Sequence, residues 1–338
     1  MARSKKSKSG SSTPKSTTST NSNGLDVSPT TPSVPSPVKT DPNGIYEVVD
    51  LPGRGKGMLA SRDIKASQGE IILKEEPLLQ LPPGLEENHV RTRQYLKDKV
   101  STLTADQRAE YMALWYEPET PKQDVLRAIF MANSYSTHDS MAVFPKAARM
   151  NHGCAGASNV AYSWRQGERR FYLHALRDVP KGEELLSAYL DPKMTRSERQ
   201  KILKDKYQFD CQCASCTLPK DLSLKSDERL STINGLFQRL MGWNVNLVSG
   251  KQVVEIVNKI WAIAEEENLA SQFGELAGLG AMVAAAHADQ KATAEWSQLA
   301  AKWLRISLGK DVINAKNSER WSQQPTTHPA FGRKYKMM

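Results

Sequence analysis

The sequence predicts an α+β fold, with strands gathered in the first half of the chain and helices alone in the second. Three observations carry this. Between residues 46 and 189, short runs of β-branched and aromatic residues are punctuated by Gly and Pro turn signals. Residues 86–135 interrupt them with apolar positions at helical spacing, an inserted helical segment. From residue 226 onward only helical periodicity remains. A length of 338 residues is enough for two domains with a real core.

The formal charge of +9 is unevenly placed. Residues 1–43 are Ser, Thr, Pro, Lys and Asn with little apolar content, which predicts a disordered basic tail. Over residues 1–40, Arg3, Lys5, Lys6, Lys8, Lys15 and Lys39 face Asp26 alone, so the remainder is only mildly basic and nucleic acid is not an expected direct substrate. The absence of any apolar run of 18 residues predicts no membrane span. A nuclear or cytoplasmic monomer is the expectation.

Tyr46 to Leu51 reads as a strand, followed by Pro52-Gly-Arg-Gly-Lys-Gly57. Its glycines permit either a tight hairpin turn or close backbone approach to a ligand, and Arg54 and Lys56 could meet a carboxylate. Ile71 to Leu79 is a strand in which Pro77 implies an edge or bulge. Lys122 to about Asn133 is helical. Asn159–Trp164 and Arg170–Leu176 alternate as paired strands around Gln166-Gly167. Thr195 to Tyr207 is a basic amphipathic helix, with Glu198 three residues after Thr195 in the capping-box pattern. Four helices are expected around 230–240, 253–264, 271–288 and 293–308, the last closed by Gly309, and an irregular segment around 325–329. They suggest helical hairpins of the tetratricopeptide type.

All four cysteines fall in two stretches, Asn151-His-Gly-Cys154 and Phe209-Asp-Cys-Gln-Cys-Ala-Ser-Cys216. Cys211, Cys213 and Cys216 cannot close a tetrahedral thiolate site alone, and Cys154 is the fourth sulfur available. The spacing points to Zn2+ pinning the 207–216 segment against the 151–154 loop. Unrelated buried thiols are the plainer alternative.

In order, Gly-Arg-Gly-Lys-Gly57, Asn151-His152-x-Cys154 with Asn159, Gly182-Glu-Glu-Leu-Leu-Ser-Ala-Tyr189 and Phe209-x-Cys-x-Cys-x2-Cys216 resemble the SET-domain lysine methyltransferases. The branch most similar is that of SET-and-MYND proteins and fungal SET-only relatives, here without the cysteines of a MYND finger. The resemblance covers about residues 44–217. It implies a SET domain over 44–190 with a helical insert near 86–135, a zinc-bound post-SET segment over 191–217, and a helical domain over 218–338. It implies S-adenosylmethionine as cofactor, met by Arg54, Gly55, Lys56, Gly57, Asn133, Asn151, His152, Tyr189 and Phe209. It also implies Tyr189 and Tyr207 as catalytic residues, structural zinc on Cys154, Cys211, Cys213 and Cys216, and a protein substrate with a target lysine.

The family's Asn-His-Ser-Cys-x-Pro-Asn reads here Asn-His-Gly-Cys-Ala-Gly-Ala-Ser-Asn159, with Gly153 for serine, no proline and two extra residues. That leaves the position of Asn159 open, and with it the alternative of a non-catalytic SET module that binds proteins. His152 is equally readable as a buried, internally bonded histidine. Glu183 and Glu184 read as turn and surface residues.

Overall fold

A hairpin opens the described chain, closed by the turn Leu51-Pro52-Gly53-Arg54. Proline presets the second turn position, Gly53 takes φ 71°, and the Arg54 N–H donates to the Leu51 carbonyl at 3.0 Å. The flanking strands β1 (Tyr46–Leu51) and β2 (Gly55–Ala60) pair antiparallel. This computed structural model describes residues 44–245 and 247–334. The tail expected over 1–43 lies outside the described residues.

β3 (Ile71–Glu75) and β4 (Leu79–Gln80) are one run in sequence, broken across Pro77 and assigned to different sheets. The insert follows as α1 (His89–Ser101), α2 (Ala105–Met112) and α3 (Val125–Asn133). It builds its own core from Leu96, Val100, Tyr111, Ile129 and Phe130. Then come β5 (Ser134–Ser136), β6 (Met141–Val143), β7 (Asn151–His152), β8 (Val160–Arg165), β9 (Arg170–Ala175) and β10 (Leu186–Ser187). Two three-stranded sheets, β3-β9-β8 and β4-β6-β5, accompany the β1-β2 hairpin and a short parallel β10-β7 pair. The turn between β8 and β9 spans four residues, and Arg169 rather than Gly167 takes the left-handed backbone, at φ 50°.

Helix α4 (Arg196–Tyr207) starts where expected, with the Glu198 carboxylate accepting the Thr195 N–H at 2.8 Å. The second half is α5 (Lys220–Met241), α6 (Gly250–Glu266), α7 (Phe273–Ala286), α8 (Gln290–Leu308) and α9 (Ile313–Gln323). Consecutive helices pack on one another. Among the described residues no helix is long and apolar enough to cross a membrane.

The two halves share a core. Ile306 of α8 is buried with Tyr46, Ile72, Phe171 and Leu173 of the sheets, and α8 lies against β8 and β9. Arg165 on β8 reaches back, donating to the Leu308 carbonyl at 2.8 Å and pairing with Asp311.

Candidate active site and thiol centre

Gly57 is where the hairpin meets the loop after β6. A side chain there would lie 2.3 Å from Leu51 Cδ1, 3.0 Å from Glu184 Oε1 and 3.1 Å from Asn151 Nδ2. The glycine is needed for the chain's own close packing, and the left-handed turn is left to Gly53 and Gly55. Asn151 Nδ2 donates to Glu184 Oε1 at 2.9 Å, and the Arg54 guanidinium forks onto the same carboxylate at 2.6 and 3.0 Å. Glu184 is therefore a junction rather than the surface residue expected, its side chain only 14% exposed. Gly55 is exposed, and Lys56 pairs across the hairpin with Asp50 at 2.9 Å. Asn133 Nδ2 ties the end of α3 to the Ile129 and Trp115 carbonyls, each at 2.7 Å, so that amide is engaged within the insert.

The two extra residues before Asn159 are absorbed in a single 3-10 turn over Ala155–Ala157. Asn159 is fully buried. It donates to the Glu184 carbonyl at 2.9 Å and accepts the Leu186 N–H at 2.8 Å, which fixes the strand leading to Tyr189.

His152 is the internally bonded histidine. Its Nδ1 accepts the Tyr189 N–H at 3.0 Å, so the ring proton sits on Nε2, 3.3 Å from Cys154 Sγ. Burial drops its pKa to about 4, keeping the ring neutral. Both ring nitrogens are thus engaged within the protein, and His152 joins the thiol loop to Tyr189.

Tyr189 donates its hydroxyl proton to the Met150 carbonyl at 2.8 Å, and burial pushes its pKa up. It is thus a fixed neutral phenol whose oxygen can only accept further bonds. Its ring lies 5.2 Å from that of Tyr207 at the end of α4 and 5.1 Å from His152, whose ring is in turn 6.3 Å from that of Phe209. Two tyrosines the motifs did not single out complete the cluster. Tyr135 and Tyr162 pack edge to face at 5.3 Å. The Tyr135 pKa is raised by burial and then by Tyr189 and Tyr162, and that of Tyr162 by burial and then by Tyr207, while the Tyr135 hydroxyl donates to the Ala147 carbonyl at 2.9 Å. Tyr162, 41% exposed, stands at the solvent edge.

The four sulfurs of Cys154, Cys211, Cys213 and Cys216 all lie within 4.8 Å of one another. A tetrahedron with ~2.3 Å metal–sulfur bonds has edges of roughly 3.8 Å, so the cluster fits a zinc ion. Hydrogen bonds among the sulfurs push Cys154 up and Cys213 down. Arg199 of α4, 4% exposed, lies against Cys154 and Cys216 and brings positive charge to that side. The sequence reading passed over it.

Residues 55–190 match the family model of the SET domain. Over those residues the chain is therefore similar to the SET domain. Among its relatives, the Schizosaccharomyces pombe protein named histone-lysine N-methyltransferase set5 is 25% identical over 287 residues, covering 84% of this chain and 85% of the relative. Human histone-lysine N-methyltransferase SMYD3 is 32% identical over 108 residues, 31% of this chain and 24% of that one. Chicken N-lysine methyltransferase SMYD2 is 34% identical over 82 residues, 24% of this chain and 18% of that one. The chain thus spans most of the yeast relative and a quarter or less of the two vertebrate ones.

Proposed function

We propose that this chain is an S-adenosylmethionine-dependent protein-lysine N-methyltransferase, and that histone lysines are the first substrates to test. The observation that carries the reading is Tyr189, in the stretch that matches the SET domain, its hydroxyl proton held by the Met150 carbonyl and its ring 5.2 Å from that of Tyr207. S-adenosylmethionine, when bound, supplies an electrophilic methyl group on a cationic sulfonium. The chain must present a neutral amine to it. Free lysine has a pKa of about 10.4, so deprotonation at pH 7 costs roughly 4–5 kcal/mol. The tyrosine-lined channel lowers that cost by desolvating the ammonium. Tyr189 accepts an amine N–H, which leaves the nitrogen lone pair free to face the methyl donor. A buried, neutral Tyr189 is not a general base, and alignment supplies the rate.

In this reading Arg54, Gly55, Lys56, Gly57, Asn133 and Asn151 surround the cofactor's amino-acid end, Phe209 packs on its adenine, and Tyr207, Tyr135 and Tyr162 wall the lysine channel. Cys154, Cys211, Cys213 and Cys216 hold structural zinc, with His152 Nε2 and Arg199 directed at the thiolates. The domains run 44–190, 191–217 and 218–338, the last built of tetratricopeptide-like hairpins, and the protein acts as a monomer.

Calorimetry with S-adenosylmethionine should give micromolar binding that Asn151→Ala abolishes. Labelled cofactor should mark lysines in a cell lysate. Tyr189→Phe should cut that transfer by about a hundredfold while cofactor binding is kept. Full transfer by Tyr189→Phe would remove its catalytic role, and no cofactor binding would end the enzyme reading.

A further inference from the structure

We propose that Glu184 is a positioning residue for the amino-acid end of the cofactor. It locks the Asn151 amide with its carbonyl oxygen outward as an ammonium acceptor, and it holds Arg54 alongside as the carboxylate's partner. The inference rests on the S-adenosylmethionine reading above and deepens it.

A carboxylate can only accept hydrogen bonds, whereas an asparagine amide has one accepting and one donating end that differ little in shape. Because Glu184 Oε1 lies 2.9 Å from Asn151 Nδ2, the donating end must face Glu184. Asn151 Oδ1 is then the end turned away, and it has no partner among the described residues. Behind that oxygen stands the Glu184 charge, which favours a cation at Oδ1. On the other side, both terminal nitrogens of Arg54 rest on Glu184 at 2.6 and 3.0 Å, leaving the half-exposed guanidinium with further N–H groups for an anion. Acceptor and donor ends side by side match a zwitterion, the α-ammonium and α-carboxylate that end the cofactor.

Glu184 is itself held from two sides. Its backbone bridges to Leu59 of β2, and its carbonyl accepts from Asn159 Nδ2 at 2.9 Å. Gly57 leaves the space in which carboxylate and amide meet. Such a fixed carboxylate orients its neighbours before a ligand arrives, which is how preorganised sites gain affinity. An ordinary exposed Arg–Glu pair would contribute little and would have no preference among ligands.

Two ligands separate these cases. S-adenosylhomocysteine carries the zwitterionic end, and 5′-methylthioadenosine carries the same adenosine and sulfur without it. Glu184→Gln introduces an N–H donor beside Asn151, allows the amide to flip, and weakens the hold on Arg54. Calorimetry on the full chain should show Glu184→Gln losing about tenfold to a hundredfold in affinity for S-adenosylhomocysteine. Its affinity for 5′-methylthioadenosine should stay within about threefold, measured by competition against a fluorescent adenosine ligand. Equal affinity of variant and wild type for S-adenosylhomocysteine would overturn the assignment. So would a parallel loss of both ligands, which would make Glu184 a residue of the fold only. A wild-type chain that binds neither ligand would instead defeat the methyltransferase reading from which this one descends.

Discussion

The thiol-rich segment after α4 and the helical half that follows it are held together by different means. Residues 208–217 form no regular element, and around them only Leu203 is a fully buried aliphatic side chain, the rest of that small core being Cys154, Cys211 and Cys216. The helices beyond bury Ile233, Leu236, Val253, Val257, Ile260 and many more against one another. A helical stack of that size stands on apolar burial. A ten-residue loop has too little apolar surface for that, and in the proposed reading it rests on zinc, as small metal-bound segments generally do.

The strongest test of this contrast is to take the metal away. Chelation, or Cys213→Ser, should reduce zinc from one per chain toward none and cut methyl transfer by more than about a hundredfold, because Tyr207 and Phe209 flank the thiol centre. The helical circular dichroism signal should persist. Collapse of both together would mean that the helices also lean on the metal.

A second test addresses the seam between the halves. His174 on β9 is fully buried, and its ring nitrogens lack partners. Burial first, then the nearby Arg165 guanidinium, lower its pKa from 6.5 to about 4, with the Gly69 backbone and then Asp311 opposing. The unfolded chain therefore binds a proton that the folded chain refuses between those values. Stability from this group is fully present above pH 6.5 and is lost as pH falls toward 4, about 3 kcal/mol in all. Thermal melts of His174→Gln should show a flatter acid limb, and an unchanged slope would show that other groups govern it.

The smallest effects lie within the helices. A side chain at Gly280 would sit 2.4 Å from the Trp296 ring, whereas one at Gly278 meets nothing within 4 Å. Gly280→Ala should destabilise by about 1–3 kcal/mol through overpacking, despite better helix propensity. Gly278→Ala should stabilise by about 0.5–1 kcal/mol. Denaturant midpoints of the two variants should move in opposite directions.

What the sequence disclosed follows the same divide. Features written locally were readable: the Pro-Gly turn, the capping box at Thr195, the apolar stripes of α5 to α8 and the strand break at Pro77. The thiol cluster was readable across a long gap because the chain has no other cysteines to choose from. Helix α9 escaped because only Ala315 and Ser318 of its residues are buried, so its apolar periodicity is faint. Glu184 escaped because its meaning comes from Arg54, 130 residues away, and nothing in Gly182-Glu-Glu distinguishes it from a turn glutamate. Tyr135 and Tyr162 read as ordinary strand aromatics, because only the fold packs their rings edge to face. The engagement of the His152 ring with Tyr189 and Cys154 was not legible either, because it depends on where the fold brings the three together.

Ile306 belongs to a helix by sequence and to the sheets by packing. The niche it fills is walled by residues as early as Tyr46, more than 250 positions upstream. During synthesis the strands emerge long before their plug does. The sheet half must wait, unsealed, until nearly the whole chain has left the ribosome, and a message truncated after the thiol segment would yield a vessel without its stopper.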